Sequence, residues 1–102
     1  MKATDLRIGN AVVYNQTIYK VDSICNSKNY VFLILFDESV RIKASLNLIR
    51  PVPLVVEILI HLKSLNSNDK DSLNFISLNQ DTYFLHKLQN LYYITTGKEL
   101  IV

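Results

Sequence analysis

The hydrophobic pattern changes its period at Pro51-Val52-Pro53, and this change divides the chain of 102 residues into two parts. Before it, apolar and polar residues alternate over short runs, which is typical of half-buried strands because successive side chains point to opposite faces. After it, apolar residues recur every three or four positions, as on one face of a helix. The pattern predicts a single domain (1–102) of the α+β class, with a β part over residues 1–52 and a helical part over residues 53–102.

The β part is predicted to contain five short strands joined by tight turns. Gly9-Asn10 and Asn15-Gln16 are turn signals, because these residue types tolerate positive φ. Pro51 cannot donate a ladder hydrogen bond, so the last strand belongs at an edge. The predicted strands cover residues 11–14, 17–24, 30–36, 40–43 and 49–52, with one 3₁₀ turn within 44–48. This arrangement predicts a small SH3-like β-barrel, on which two helices and a short strand pack.

The first predicted helix follows Pro53 and is apolar over much of its circumference. Its main apolar row ends at Leu65, and Val56 and Ile60 widen the row beyond one stripe. Such a helix is either deeply buried in its own domain or buried against a partner, and the sequence leaves both alternatives open.

The rest of the helical part is predicted to form a strand and a second helix. Residues 73–78 place apolar side chains on both faces of an extended segment, which favours a strand. A helix over residues 82–96 is expected to follow, with Asp81 as its N-cap and Gly97 as its left-handed C-cap.

The chain offers few residues for catalysis, metal binding or cofactor binding. Its two His residues, His61 and His86, and its single Cys, Cys25, are far apart in sequence, whereas a zinc site needs three or four ligands at usable spacing. Both His residues are predicted at helix surfaces, and Cys25 at a strand end. With two Gly residues, the chain has no Gly-rich phosphate loop. We therefore predict a protein that is not an enzyme and has no metal, cofactor or small-molecule substrate.

Targeting signals are missing from the sequence. Residues 1–7 carry no apolar core of a signal peptide, and the longest apolar runs fall short of the ~20 residues that a membrane span needs. The expectation is a protein of the bacterial cytoplasm with no membrane partner.

Basic residues on the polar faces of the predicted strands form a candidate nucleic-acid-binding surface. The net charge of +2 is too small to imply nucleic acid by itself. Arg41 and Lys43 nevertheless fall on one strand face, which Arg50 and Lys20 can join. An ordinary solvated strand face is the alternative.

A second candidate surface is a protein interface on the two predicted helices. It comprises Val56, Ile60 and Lys63 on the first helix, and Lys87 and Tyr93 on the second, with Gln89 on the adjoining surface. Tyr is enriched at interfaces because it buries much area at little cost in rotamer freedom. The alternative is that Tyr92 and Tyr93 both cover the barrel. The partner would be a host protein or a second copy of the chain.

Three segments resemble a group of small phage- and prophage-borne proteins that have no assigned reaction. The segments are the start Leu6-Arg7-Ile8-Gly9-Asn10, the hinge Ile49-Arg50-Pro51-Val52-Pro53-Leu54, and the end, which reads His86, Leu88-Gln89-Asn90-Leu91-Tyr92 and Thr96-Gly97-Lys98-Glu99-Leu100. The chain departs from the family at Leu65-Asn66-Ser67-Asn68, where a Gly-Phe pair is common. The resemblance implies a non-catalytic protein that docks on a host protein. It suggests an anti-CRISPR protein that inhibits an RNA-targeting type VI effector nuclease or its RNA complex.

Overall fold

The computed structural model describes residues 1–25, 27–35, 39–79 and 82–102 of the protein. In these ranges the fold is of the α+β class, with a five-stranded antiparallel sheet and three α-helices. The chain divides into two compact units, Met1–Val52 and Pro53–Val102.

The first unit is an open sheet with strand order β4-β3-β2-β1-β5. The strands are β1 (Ala11–Tyr14), β2 (Thr17–Cys25), β3 (Tyr30–Ile34), β4 (Arg41–Ser45) and β5 (Arg50–Pro51). Short 3₁₀ helices lie at Ala3–Asp5 and Leu46–Leu48. Five strands and an edge position for the last one were predicted correctly. The predicted closure into a barrel is not found among the described residues, because β4 and β5 remain two separate edges. The SH3-like barrel is therefore not confirmed.

Positive φ angles lie at three of the four predicted turn residues, namely Gly9, Asn15 and Gln16. Asn15 and Gln16, at φ 50° and 64°, form the two-residue connection of the β1–β2 hairpin. Two consecutive left-handed residues match the right-handed twist of the flanking strands. Gly9, at φ 97°, begins the entry to β1, and its N–H donates to the Val21 carbonyl.

One face of the sheet carries the core of the first unit. Val12, Val21, Val31 and Leu33 are fully buried and come from the three central strands. The other members of this cluster are Leu6, Ala44, Leu46 and Ile49.

The second unit consists of the helices α1 (Val56–Leu65), α2 (Lys70–Leu78) and α3 (Leu85–Thr96). The strand predicted at residues 73–78 is wrong, because these residues belong to α2. The Asp69 side chain accepts hydrogen bonds from the backbone N–H groups of Asp71 and Ser72, and so caps a helix there. The predicted N-cap Asp81 lies outside the described residues. Gly97 ends α3 at φ 74°, which confirms its predicted role.

A chain of hydrogen bonds links α3 to the start of α2. The Ser72 hydroxyl donates to the Asp69 carboxylate over 2.7 Å, and the Tyr92 hydroxyl lies 2.8 Å from the same Ser72 oxygen. Because the Ser72 proton is directed to the carboxylate, Tyr92 is the donor to Ser72. Phe75 packs edge-to-face on the Tyr92 ring at 5.1 Å. The network satisfies polar atoms that would otherwise be costly to bury.

Asp69 is expected to make the stability of the second unit sensitive to acid. The Ser72 hydroxyl, followed by the backbone N–H groups of Ser72 and Asp71, holds the pKa of the Asp69 carboxyl below its ordinary value of 3.8. A lowered folded-state pKa gives stability that is present above the unfolded-state pKa and is lost as pH falls through the folded-state pKa. In Asp69→Asn the free energy of unfolding should therefore fall less steeply than in wild type between about pH 5 and about pH 2. Urea unfolding followed by circular dichroism measures this difference.

Asp71→Asn is the matched control for this pH series. Asp71 is an exposed residue of the same helical turn, and its backbone N–H, not its carboxylate, takes part in the cap. We expect the pH dependence of Asp71→Asn to stay closer to wild type than that of Asp69→Asn. Parallel pH profiles for wild type and Asp69→Asn would contradict the assignment.

Candidate functional site

An exposed stripe on α1 carries the first part of the predicted protein interface. Val56 and Ile60 are 67% and 62% exposed, and Lys63 is also exposed. Their spacing of four and three residues places them on one side of the helix, which we call the α1 stripe. Leu62 is the one fully buried residue of α1. The first alternative for this helix, deep burial in its own domain, is therefore wrong.

The predicted interface residues on α3 do not share a face. Lys87 and Tyr93 are both exposed, but six residues at 3.6 per turn place them about 120° apart around the helix. Gln89, which was predicted on the adjoining surface, is 1% exposed and belongs to the buried side of α3. The structure therefore brings Val56, Ile60 and Lys63 together and does not join Lys87 to Tyr93.

His86 is buried, which corrects its predicted surface position. It is 2% exposed, and its ring stacks on Phe84 with centroids 6.1 Å apart. His86 and Gln89, three residues apart, both fall on the buried side of α3. His61 is exposed on α1, as predicted.

Other exposed apolar side chains of the second unit were missed at the sequence level. Leu78 on α2, Tyr83 before α3 and Ile94 on α3 are each about four-fifths exposed, at 81%, 82% and 79%. Single exposed apolar residues are normal on a protein surface, so each of these alone indicates little.

The four predicted basic residues of the sheet lie on one face, opposite the core. Lys20 on β2 pairs with Ile34 on β3, which pairs with Arg41 on β4. In the next row Ser23 pairs with Phe32, which pairs with Lys43. Paired residues of neighbouring strands project to the same side. Arg50 reaches this side through its pairing with Val13, and we call this surface the charged sheet face.

Two aromatic rings lie between the basic residues of the charged sheet face. Tyr30 and Phe32 on β3 are half-buried and meet edge-to-face at 5.4 Å. The Arg41 guanidinium lies 4.8 Å from the Phe32 ring centre, and the Lys43 ammonium lies 4.3 Å from that of Tyr30. Arg41 also forms an ion pair with Asp22 at 3.1 Å. These contacts were not predicted, because residues 30–36 are apolar throughout, a pattern that favours a strand covered on both sides.

No family model, curated protein or solved structure matches this chain. The resemblance to phage-borne proteins therefore stays a prediction. Binding by the α1 stripe and by the charged sheet face also stays a prediction.

Cys25 closes β2 at the edge of the charged sheet face, so its predicted place at a strand end is confirmed. Its sulfur lies 3.8 Å from the Ser27 hydroxyl oxygen. That hydroxyl is the main reason why the pKa of the Cys25 thiol lies below its ordinary value. The neighbouring thiol in turn raises the pKa of the Tyr30 phenol.

Metal-ion clusters and membrane-spanning helices are both absent from the part of the chain that the structure describes. No three residues among its His, Cys, Asp and Glu lie close enough together to hold a metal ion. None of its helices combines the length and the apolar character that crossing a membrane requires.

Proposed function

We propose that this protein is a non-catalytic binding protein of the bacterial cytoplasm that docks on a host protein through the α1 stripe. The observation that carries the proposal is the exposure of Val56 and Ile60 on one side of a helix that buries only Leu62 completely. Apolar anchors one turn apart, followed by a basic residue at the next turn, are how a helix lies in the apolar groove of a partner.

The energetics of the α1 stripe favour a bound state. Fully burying a Val or Ile side chain contributes about 1.5–3 kcal/mol. In the chain alone, Val56 and Ile60 leave most of this stabilisation unrealised, because about two-thirds of each side chain faces water. Lys63 adds a charge at the end of the stripe, which would help to fix the orientation of a partner.

The resemblance to phage-borne proteins supports a more specific partner. We propose an RNA-guided type VI CRISPR nuclease, which the protein would inhibit by occluding a channel or by holding an inactive conformation. Inhibition of the second kind requires only that the protein bind the inactive conformation more tightly than the active one.

Affinity capture from a bacterial lysate tests the docking surface. We expect wild-type protein to retain a host protein that Ile60→Asp loses, because the substitution places a charge in the centre of the apolar contact. Leu78→Asp is the matched control, since it introduces the same charge at an exposed apolar residue of another helix. Equal capture by wild type and Ile60→Asp would contradict the α1 stripe as the docking surface.

Self-association is separated from host binding by measuring the mass in solution. A wild-type dimer that Ile60→Asp converts to a monomer would assign the α1 stripe to a second copy of the chain. That result would contradict the proposal that a host protein binds at this surface.

The identity of the partner is tested by cleavage of a reporter RNA by a type VI nuclease. We expect wild type and Leu78→Asp to inhibit cleavage and Ile60→Asp to fail. Full cleavage in the presence of saturating wild-type protein would contradict this nuclease as the target.

A further inference from the structure

We infer that the charged sheet face binds single-stranded RNA, with Tyr30 and Phe32 stacking on bases while Arg41 and Lys43 contact phosphates. This inference concerns the first unit and does not rest on the α1 stripe.

The charge of the first unit is concentrated on this face. The five strands carry five charged residues, four basic and one acidic, and the register of the sheet places the four basic ones on this side together with the Arg41-bound Asp22. Their net charge of +3 exceeds the +2 of the whole chain, so the rest of the chain is slightly acidic. A surface with this contrast attracts a polyanion locally even though the whole protein is nearly neutral. The acidic member is Asp22, and the basic members are Lys20, Arg41, Lys43 and Arg50.

The Arg41–Asp22 pair leaves Arg41 able to contact a phosphate. The Arg41 side chain is 54% exposed, and surface ion pairs of this kind contribute little to stability. A phosphate can accept two parallel hydrogen bonds from a guanidinium, which makes it a strong competitor for this arginine.

The aromatic pair explains why a single strand fits better than a duplex. Phe32 and Tyr30 alternate with the buried Val31 and Leu33, so both rings project from the charged sheet face. Unpaired bases stack on sheet-borne aromatic rings and on arginine planes, whereas the bases of a duplex are stacked on one another and are not available. Arg41 lies over the Phe32 ring, so a base that stacks on this side of Phe32 displaces the guanidinium, which can then contact a phosphate.

Hydroxyl groups beside the rings favour RNA over DNA. Ser23 pairs with Phe32 and Ser45 pairs with Tyr30, so both serines share rows of the charged sheet face with the rings. The 2′-hydroxyl of RNA is both a donor and an acceptor, and it is the group by which a protein distinguishes RNA from DNA.

Fluorescence anisotropy of the full chain with a short labelled single-stranded RNA tests the inference. We expect micromolar binding at low salt that weakens as salt rises. Arg41→Ala and Lys43→Ala should each weaken binding and reduce the slope of log affinity against log salt by about 0.7. Phe32→Leu should weaken binding about tenfold with little change of slope, because it removes a stacking ring and not a charge. Phe32→Tyr keeps a stacking ring and should bind like wild type.

Three control arms make the outcome decisive. Lys70→Ala removes an exposed lysine of α2, and Ile60→Ser removes an apolar contact of the α1 stripe without adding charge, so both should bind RNA like wild type. No binding at low salt, or equal losses for Lys70→Ala and Arg41→Ala, would overturn the inference. Equal or tighter binding of DNA of the same sequence would overturn the choice of RNA. Because Ile60→Ser affects the other surface only, failure here is distinguishable from failure of the proposed host-protein contact.

Discussion

Replacing Leu62 with Asp is expected to unfold the second unit, whereas the same change two residues earlier, at Ile60, is expected to leave it folded. Leu62 is 0% exposed and Ile60 is 62% exposed. An uncompensated buried charge costs about 3–5 kcal/mol, and the lost burial of Leu adds about 2 kcal/mol. Their sum is comparable with the total stability of a small domain, which is about 5–15 kcal/mol. An exposed Asp at position 60 can stay hydrated and incurs neither cost.

Far-UV circular dichroism and proton NMR of the two variants measure this difference. We expect lost helical signal for Leu62→Asp and a native spectrum for Ile60→Asp. If Ile60→Asp unfolds as completely as Leu62→Asp, Ile60 is a core residue and the α1 stripe is not a free surface. Leu62→Ala leaves a cavity without burying a charge. It should lower the free energy of unfolding by about 2–5 kcal/mol.

Tyr92→Ala is expected to destabilise the second unit by about 3–5 kcal/mol, the range found when a large buried aromatic residue is truncated. Tyr92 is 1% exposed, packs edge-to-face with Phe75 and donates to Ser72. Tyr92→Phe keeps the ring but leaves the buried Ser72 oxygen without this donor. We expect Tyr92→Phe to lower the free energy of unfolding by about 1–3 kcal/mol. Urea unfolding followed by circular dichroism gives both values.

Tyr93→Ala is the neighbouring control for Tyr92→Ala. Tyr93 is 42% exposed, and substitutions at partly exposed positions cost less than those in the core. Equal destabilisation by Tyr92→Ala and Tyr93→Ala would contradict the burial of Tyr92 as the source of the larger loss of stability.

The β part could be predicted closely because its signals are local. Alternation sets the face of each side chain, and turn residues set where a strand ends. β1 was predicted with the bounds Ala11–Tyr14 that it has, and Asn15-Gln16 forms the hairpin turn. Barrel closure could not be predicted in the same way, because it depends on long-range pairing of β5, which has two residues and includes Pro51.

The helical part was harder to predict because short apolar runs fit either a helix or a strand. The run in α2 alternates well enough to read as a strand, and the deciding residue, Asp69, lies before it. Asp is a preferred N-cap residue, and Asp69 accepts from both the backbone N–H and the hydroxyl of Ser72.

The two candidate surfaces were predictable to different degrees. Arg41 and Lys43 are two residues apart in a strand, so their common face follows from sequence alone. Their contacts with Phe32 and Tyr30 depend on the β3–β4 register, which alternation does not supply. Exposure of Val56 and Ile60 was one of two open alternatives, because a nearly all-apolar helix does not reveal which side is covered.

The affinity of the purified protein for the host protein that it captures measures whether the protein acts by contact through the α1 stripe. Isothermal titration calorimetry should show at least about a 30-fold weaker affinity for Ile60→Asp, since a central anchor contributes about 2 kcal/mol or more, and a wild-type affinity for Leu78→Asp. Equal affinities for wild type and Ile60→Asp, with both proteins folded, would contradict docking through the α1 stripe.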